Sequence, residues 1–500
     1  MTPTAFTKSP GFDEGPAAGA EPARRLERLL VAVVLCAVAL LHARWILVHF
    51  SSDGYLIDSG WFAFLLGSAD PWLRNPASVN DLSYYAHHLS PHLFAFGAPL
   101  AKFLGLDGIR IFALHQGLFF ALFMLSLVLI ASPAAGAPPL KRAAAVVAAV
   151  MIGSLADILF QAAAYPHFEI ALLAVTSLAL AAYLRGNGPL FICCLLALPA
   201  IREDGGFYAA LACLLGAAVT HGPWPRFDRR LWQLLGLALL GVLVALLSVY
   251  LKGRVFPGYE TFALNFSGDG WQHLSPQLLL DRATAMLANR NFSVLLAGTL
   301  VLAFFDRRYV AGLLFVSPLL VLHLAAVRDE LGRFTLYYAL PWLLVCAGWL
   351  AVYARRTHGP ATPPAVEGIV IVLLALLLTT PVQAVLGMPG NFWSVTRAAA
   401  TKPVARIDAM REFARARLAA GRAEGGGAGG RTCASLGIAA LVPDHLGPRD
   451  VVDPDVGVTG CDRLLLMRGD MHYAQLRAAA EAAGLARAAA VENAELWTRQ

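Results

Sequence analysis

The chain is 500 residues long, 58% hydrophobic and only 14% charged, with a mean hydropathy of +0.61, a balance that excludes an ordinary water-soluble globular fold. The formal net charge is +6, but the basic residues come as short pairs between apolar runs rather than as one stripe, which argues against nucleic acid as a partner. Five of the cysteines, Cys36, Cys193, Cys194, Cys213 and Cys346, lie inside apolar runs as small packing residues, and only Cys433 and Cys461 have polar surroundings.

The first apolar run, about residues 29 to 48, follows Arg24, Arg25 and Arg28. It is long enough to span and lacks a small-residue cleavage site, so it is a retained anchor after a cytoplasmic tail of residues 1–28. A bilayer admits only backbone that satisfies its own hydrogen bonds, so the later apolar runs must also be helices. Spans are expected near 110–132, 143–161, 168–184, 189–201, 206–220, 231–251, 292–305, 309–327, 335–353 and 366–386, about eleven with the first. The stretch 92–106 is broken by Pro99 and Lys102 and reads as a helix lying at the interface.

With the N-terminus in the cytoplasm, the alternate loops bearing Lys141/Arg142, Arg185, Arg226/Arg229/Arg230, Arg307/Arg308 and Arg355/Arg356 all fall inside, as the positive-inside rule requires. The expected architecture is an all-α polytopic domain over 29–387 with long outer loops at 49–109 and 252–290, followed by an extracytoplasmic unit at 388–500. In that tail, Ala434 to Val442 and Arg463 to Met467 have the character of buried strands, and Tyr473 to Ala490 has helical spacing, so a small α/β domain is expected. Cys433 and Cys461 there are either a disulfide, in an oxidising compartment, or two unpaired thiols.

Ionisable residues concentrate on the expected outer face. The first outer loop holds Asp53 and Asp58, an amphipathic stretch from Gly60 to Leu66, and then Tyr84 to His92. A carboxylate at the membrane edge can serve as general base to an attacking hydroxyl; equally, Asp58 directly precedes a helix and can be its N-cap. The turns Tyr165-Pro166-His167-Phe168-Glu169 and Arg202-Glu203-Asp204-Gly205-Gly206 place charge beside hydrocarbon, where it either lines a polar cavity or pairs locally. Arg333, followed by Tyr337 and Tyr338, is the preferred phosphate ligand, the other reading being interfacial snorkelling with a pair to Asp329 or Glu330. Histidines 49, 87, 88, 92, 167 and 273 fall on the same side; a divalent metal is the cofactor such a set allows, but no ligand spacing supports it. His88-Leu89-Ser90-Pro91 recurs as His273-Leu274-Ser275-Pro276, too short a match for a duplication.

Asp58, His88-Leu89-Ser90-Pro91, the Pro166-His167-Phe168-Glu169 turn and the Arg202-Glu203-Asp204 turn resemble motifs of the bacterial membrane proteins of domain of unknown function 2079. That group in turn is similar to the GT-C glycosyltransferases, polytopic enzymes that use polyprenyl-phosphate-linked sugars. The third motif departs from the His-Pro-Glu expected of the family, and the fourth starts with Arg202 in place of lysine. The resemblance implies a GT-C-like enzyme of the bacterial inner membrane that moves a sugar from a polyprenyl-phosphate donor to an unidentified acceptor at the outer face. Asp58 is then the catalytic carboxylate with Asp53 as its alternative, and the substrate site is drawn from His88, His167, Glu169, Arg202, Glu203, Asp204, Arg333 and Tyr337. A transporter or flippase of a lipid-linked or polar substrate is the alternative, because charges among many helices also mark pathways.

Overall fold

A computed structural model describes residues 21–51, 57–74, 83–132, 139–221, 228–256, 265, 271–332, 334, 336–357, 365–385, 405–424, 430–452, 457–470 and 472–499. The first long helix, α1 (Glu21–Ser51), is followed by α2 (Ile57–Ser68), α3 (Pro91–Leu104) and α4 (Gly108–Ala131). Two consecutive segments, α5 (Pro139–Leu155) and α6 (Asp157–Ala164), occupy the expected 143–161 span and are broken at Ala156. Then come α7 (Glu169–Leu184), α8 (Gly188–Ile201), α9 (Gly205–His221) and α10 (Arg229–Val255). The second half holds α11 (Pro276–Ala288), α12 (Arg290–Ala303), α13 (Val310–Val316), α14 (Pro318–Ala325), α15 (Asp329–Gly332), α16 (Leu343–Arg356), α17 (Ala365–Leu377) and α18 (Thr380–Val385).

Among the described residues, five helical runs are long and apolar enough to cross a membrane, or six if the α11/α12 pair, bent by 78°, is one span. The chain is therefore a multi-pass membrane protein. Four of the eleven expected spans fall on shorter apolar helices, α7, α8, α9 and α17. The expected interfacial helix is α3, 14 residues with Pro99 inside it and with Phe103 and Leu104 exposed at its end. Exposure separates two layers: the Tyr337–Arg356 run is 94% buried and forms the centre with α4 and α7, whereas the α10 run is only 22% buried and turns Leu239, Leu243 and Leu246 outward. Outward apolar faces of this kind are what lipid requires.

Helix starts follow local chemistry. Asp107 and Asp228 cap α4 and α10 by accepting the Arg110 and Leu231 amides. Ser90 and Ser275 are the N-cap residues of α3 and α11, each followed by proline in the first turn. The recurrence of His-Leu-Ser-Pro is thus a repeated helix-start signal. Asp58 lies in the first turn of α2. The Gly60–Leu66 stretch is not amphipathic in its setting: Phe62, Ala63, Phe64, Leu65 and Leu66 are all buried, because partners cover α2 on several sides.

One of those partners comes from the far end of the chain. After α19 (Ala405–Glu424), strand β1 (Thr432–Ser435) leads into α20 (Leu436–Leu441), followed by β2 (Val451–Val452), β3 (Arg463–Met467), α21 (Tyr473–Ala482), β4 (Leu485–Val491) and β5 (Ala494–Arg499). The sheet order is β2-β1-β3-β5-β4, parallel across β2, β1 and β3 and antiparallel across β3, β5 and β4. The Arg463–Met467 strand is as expected, but Ala434 to Val442 is a strand only to Ser435 and then a helix, since a short run buried throughout carries no period to separate the two forms. Likewise the helix expected over Tyr473–Ala490 stops at Ala482, and Gly484 in the left-handed region (φ 78°) turns the chain into β4. Cys433 and Cys461 are joined as a disulfide.

Alternation along β3 assigns its two faces. Leu465 and Met467 join the apolar core shared with the helix bundle, while Leu464 and Leu466 pack with Trp497 and Leu476 in a separate cluster. Docking is close: a Cβ on Gly108 would strike the Ala63 carbonyl and lie 2.9 Å from the Ala440 carbonyl, and one on Gly67 would lie 2.7 Å from Pro443. Only glycine permits this approach of α2, α4 and α20.

Candidate functional site

The two ends of the bundle differ in chemistry. At the end where α4 and α7 finish, Arg185 donates to the carbonyls of Leu129 (2.8 Å) and Ser132 (3.3 Å). Arg355 reaches the Thr220 carbonyl at 3.4 Å and Arg356 the Phe305 carbonyl at 2.5 Å. These arginines cap exposed helix C-termini, a favourable setting for cations.

The opposite end brings together turns that are far apart in sequence. Glu203, between α8 and α9, accepts a hydrogen bond from the His88 Nδ1 at 3.0 Å and takes the Leu89 amide at 2.9 Å. The Lys252 ammonium, in the last turn of α10, lies 3.6 Å from the same carboxylate. Arg202 grips both oxygens of Asp204, at 2.5 Å through Nε and 2.6 Å through Nη2, and reaches Glu169 at 2.5 Å through Nη1. Glu169 also contacts His167 Nδ1. The His167 ring stacks on Tyr337 with centroids 4.2 Å apart, and its carbonyl accepts from Gln116 of α4 at 2.9 Å. Tyr337 in turn donates to the Tyr338 hydroxyl at 2.8 Å.

Exposure divides the members. The side chains of Glu203, Glu169 and Lys252 are only 7–8% exposed, whereas Asp204 (31%), His88 (20%) and Arg202 (16%) form the accessible lip. Burial pushes the Glu203 carboxyl up, but the facing His88, Lys252 and Arg202 charges outweigh it and hold the group well below the usual carboxylate range. Arg202 is opposed in the same way: burial works against its charge, and Asp204 more than restores it. His87, beside His88, is pushed down to about 3 by burial and by the charges of His88 and Lys252.

Of the expected site residues, His88, His167, Glu169, Arg202, Glu203, Asp204 and Tyr337 meet in this cluster. Asp58 stands one helical turn before Phe62, whose ring meets His167 edge-on at 4.4 Å; that puts the backbone of its turn beside the cluster. Asp53 and Arg333 lie outside the described residues. Local pairing of Arg202 with Asp204 is present, together with the longer reach to Glu169. Lys252 and Gln116 were not expected: a lysine at the end of an apolar helix carries the same signature as interfacial snorkelling. His273 goes elsewhere, to the Ala325 carbonyl at 3.0 Å. Among the described residues no group of three or more His, Cys, Asp or Glu side chains could hold a metal ion.

Fold and site together define a multi-pass helical membrane protein with a charged cluster at one end and a small sheet unit packed beside it. Similarity extends to the crystal structure of ArnT from Cupriavidus metallidurans bound to undecaprenyl phosphate, with a TM-score of 0.48 and 15% identity over 93% of this chain and 97% of that one. No family model matches the chain, and no curated protein does; the likeness to the domain of unknown function 2079 proteins stands on the short motifs.

Proposed function

We propose that this protein transfers a sugar from a polyprenyl-phosphate carrier to an acceptor at the extracytoplasmic face of the bacterial inner membrane. The observation that carries the reading is the convergence of Arg202, Lys252, Glu203, His88 and the α2 turn bearing Asp58 at the end of the bundle opposite Arg185, Arg355 and Arg356. Arginines at the far end support a cytoplasmic assignment for it. The charged cluster and the sheet unit then face outward, in keeping with a disulfide between Cys433 and Cys461.

In this reading Asp58, with Asp53 as its alternative, takes the proton of the acceptor hydroxyl as that oxygen attacks the anomeric carbon. The carbon–oxygen bond to phosphate breaks with its electron pair going to the phosphate, whose charge is met by the accessible edge of Arg202 and by Arg333. One displacement inverts the anomeric centre. Glu203, Asp204, His88, His167, Glu169 and Tyr337 line the cavity or hold the cations in place.

The test is Asp58→Asn in protein reconstituted with a labelled polyprenyl-phosphate sugar and a membrane extract as acceptor source. Transfer should fall by about a hundredfold or more, with yield and unfolding midpoint unchanged. Parental turnover would remove Asp58 from the mechanism. Accumulation of the labelled lipid's sugar inside sealed vesicles, with no covalent product, would replace the enzyme by a transporter.

A further inference from the structure

A second concave place lies on the same end of the molecule. A cleft of about 680 Å³ opens between the first outer loop, through Trp72, Arg74 and Ser83, and the sheet unit, through Gly447 to Asp450. Its volume falls in the range of small-molecule sites. Trp72 is 62% exposed although the next residue, Leu73, is fully buried.

The loop holds the indole in water by several means at once. Asp70 accepts the Trp72 amide at 3.0 Å and the Arg74 amide at 3.3 Å, and Ala69 and Leu73 take positive φ values of 51° and 45°. Ser83 donates to the Trp72 carbonyl, Tyr84 donates its amide to the Leu73 carbonyl at 2.7 Å, and the Tyr85 hydroxyl reaches the Pro71 carbonyl at 3.0 Å. Non-glycine residues in that region of backbone space cost free energy, and so does an indole left in solvent. Neither cost stabilises the fold.

The opposite wall supplies charge. Asp450 folds back to accept the Gly447 amide at 3.0 Å and lies 3.7 Å from Arg431, which also donates to the Arg449 carbonyl. Two guanidinium groups, those of Arg74 and Arg449, line the cleft with one carboxylate, Asp450, leaving one net positive charge. An aromatic face takes the C–H face of a pyranose ring, guanidinium forks take a carboxylate or phosphate, and a carboxylate takes hydroxyl donors.

We propose that this cleft binds a saccharide bearing an anionic group and, given the glycosyl transfer proposed above, that it is where the acceptor docks. The loop that lines the cleft at Ser83 runs on to His88, which holds Glu203. Acceptor binding and the charged cluster thus share one short segment of chain.

The experiment is calorimetric titration of the full-length protein in detergent with trigalacturonic acid and with maltotriose. Trigalacturonate should bind saturably and maltotriose at least tenfold more weakly, and Trp72→Ala and Arg449→Glu should each weaken trigalacturonate about tenfold or more. No saturable heat with trigalacturonate, parental affinity in Trp72→Ala, or maltotriose bound as tightly would each overturn the proposal. The titration needs no donor and no turnover, so failure of the cleft is read from it alone, and failure of the transfer mechanism from the Asp58→Asn transfer assay.

Discussion

Glu203 and His88 are 115 residues apart in the chain and 3.0 Å apart in space. Through this contact and the Leu89 amide, one carboxylate ties the first outer loop to the α8/α9 turn and to the α10 ammonium. Removing it takes away the carboxylate 3.6 Å from the buried Lys252 ammonium. Glu203→Ala should lower stability by about 3–5 kcal/mol, measured as the denaturation midpoint in detergent, and should raise amide exchange at 87–90. A variant as stable as the parent would show that the network contributes nothing.

Arg202 spans two carboxylates with three separate nitrogens. A lysine retains the charge but offers a single ammonium, which cannot engage both oxygens of Asp204 and still reach Glu169. Arg202→Lys is therefore expected to cost about 2–3 kcal/mol and to reduce transfer at least tenfold. If both quantities held at parental values, charge alone would be sufficient at this position.

His87 gives the protein an acid sensitivity of defined sign. The unfolded chain takes a proton on this ring near the ordinary value of 6.5, while the folded chain refuses it until about 3. Its contribution is complete above 6.5 and is lost as pH falls from there toward 3. Glu203 acts lower: held below the carboxylate range, its contribution persists until pH falls through that range. Unfolding midpoints taken at intervals from about pH 7.5 to 5 should drop in the parent, and the slope should be shallower in His87→Gln. Parallel slopes would assign the acid sensitivity to other groups.

The docking of α20 on α2 depends on the absence of side chains at Gly67 and Gly108. Gly108→Val puts carbon against two carbonyl oxygens and should separate the sheet unit from the bundle. Hydrogen exchange should then rise about tenfold or more in both 62–66 and 436–441, since each segment loses the cover of the other. Protection unchanged in both segments would contradict the packing described.

The Cys433–Cys461 bridge closes a loop of 28 residues. On loop length alone it stabilises the sheet unit by roughly 3–4 kcal/mol. Reductant should lower the unfolding midpoint of that unit in the parent and leave Cys433→Ser, already lowered, where it is.

Much of this was readable in the chain. Long apolar runs with lysine or arginine at alternate loops are a composition signal, and α1, α4 and α10 stand where that signal puts them. Short polar turns such as Arg202-Glu203-Asp204 were conspicuous because charge beside hydrocarbon is costly. Their pairing was not readable: nothing in local spacing ties His88 to Glu203 or distinguishes Lys252 from a lysine reaching for the interface. Periodicity also failed where burial is uniform, as over Ala434 to Val442. Gly484, the residue that ends α21, was a stop signal present in the sequence and overridden by the alanine pattern around it.

The seating of α20 against α2 also orders the molecule's assembly in time. A ribosome releases residues 57–68 long before residues 436–443, so the covering surface for Phe62 to Leu66 does not yet exist when α2 forms. The early helix must wait, partly uncovered, for a segment translated hundreds of residues later.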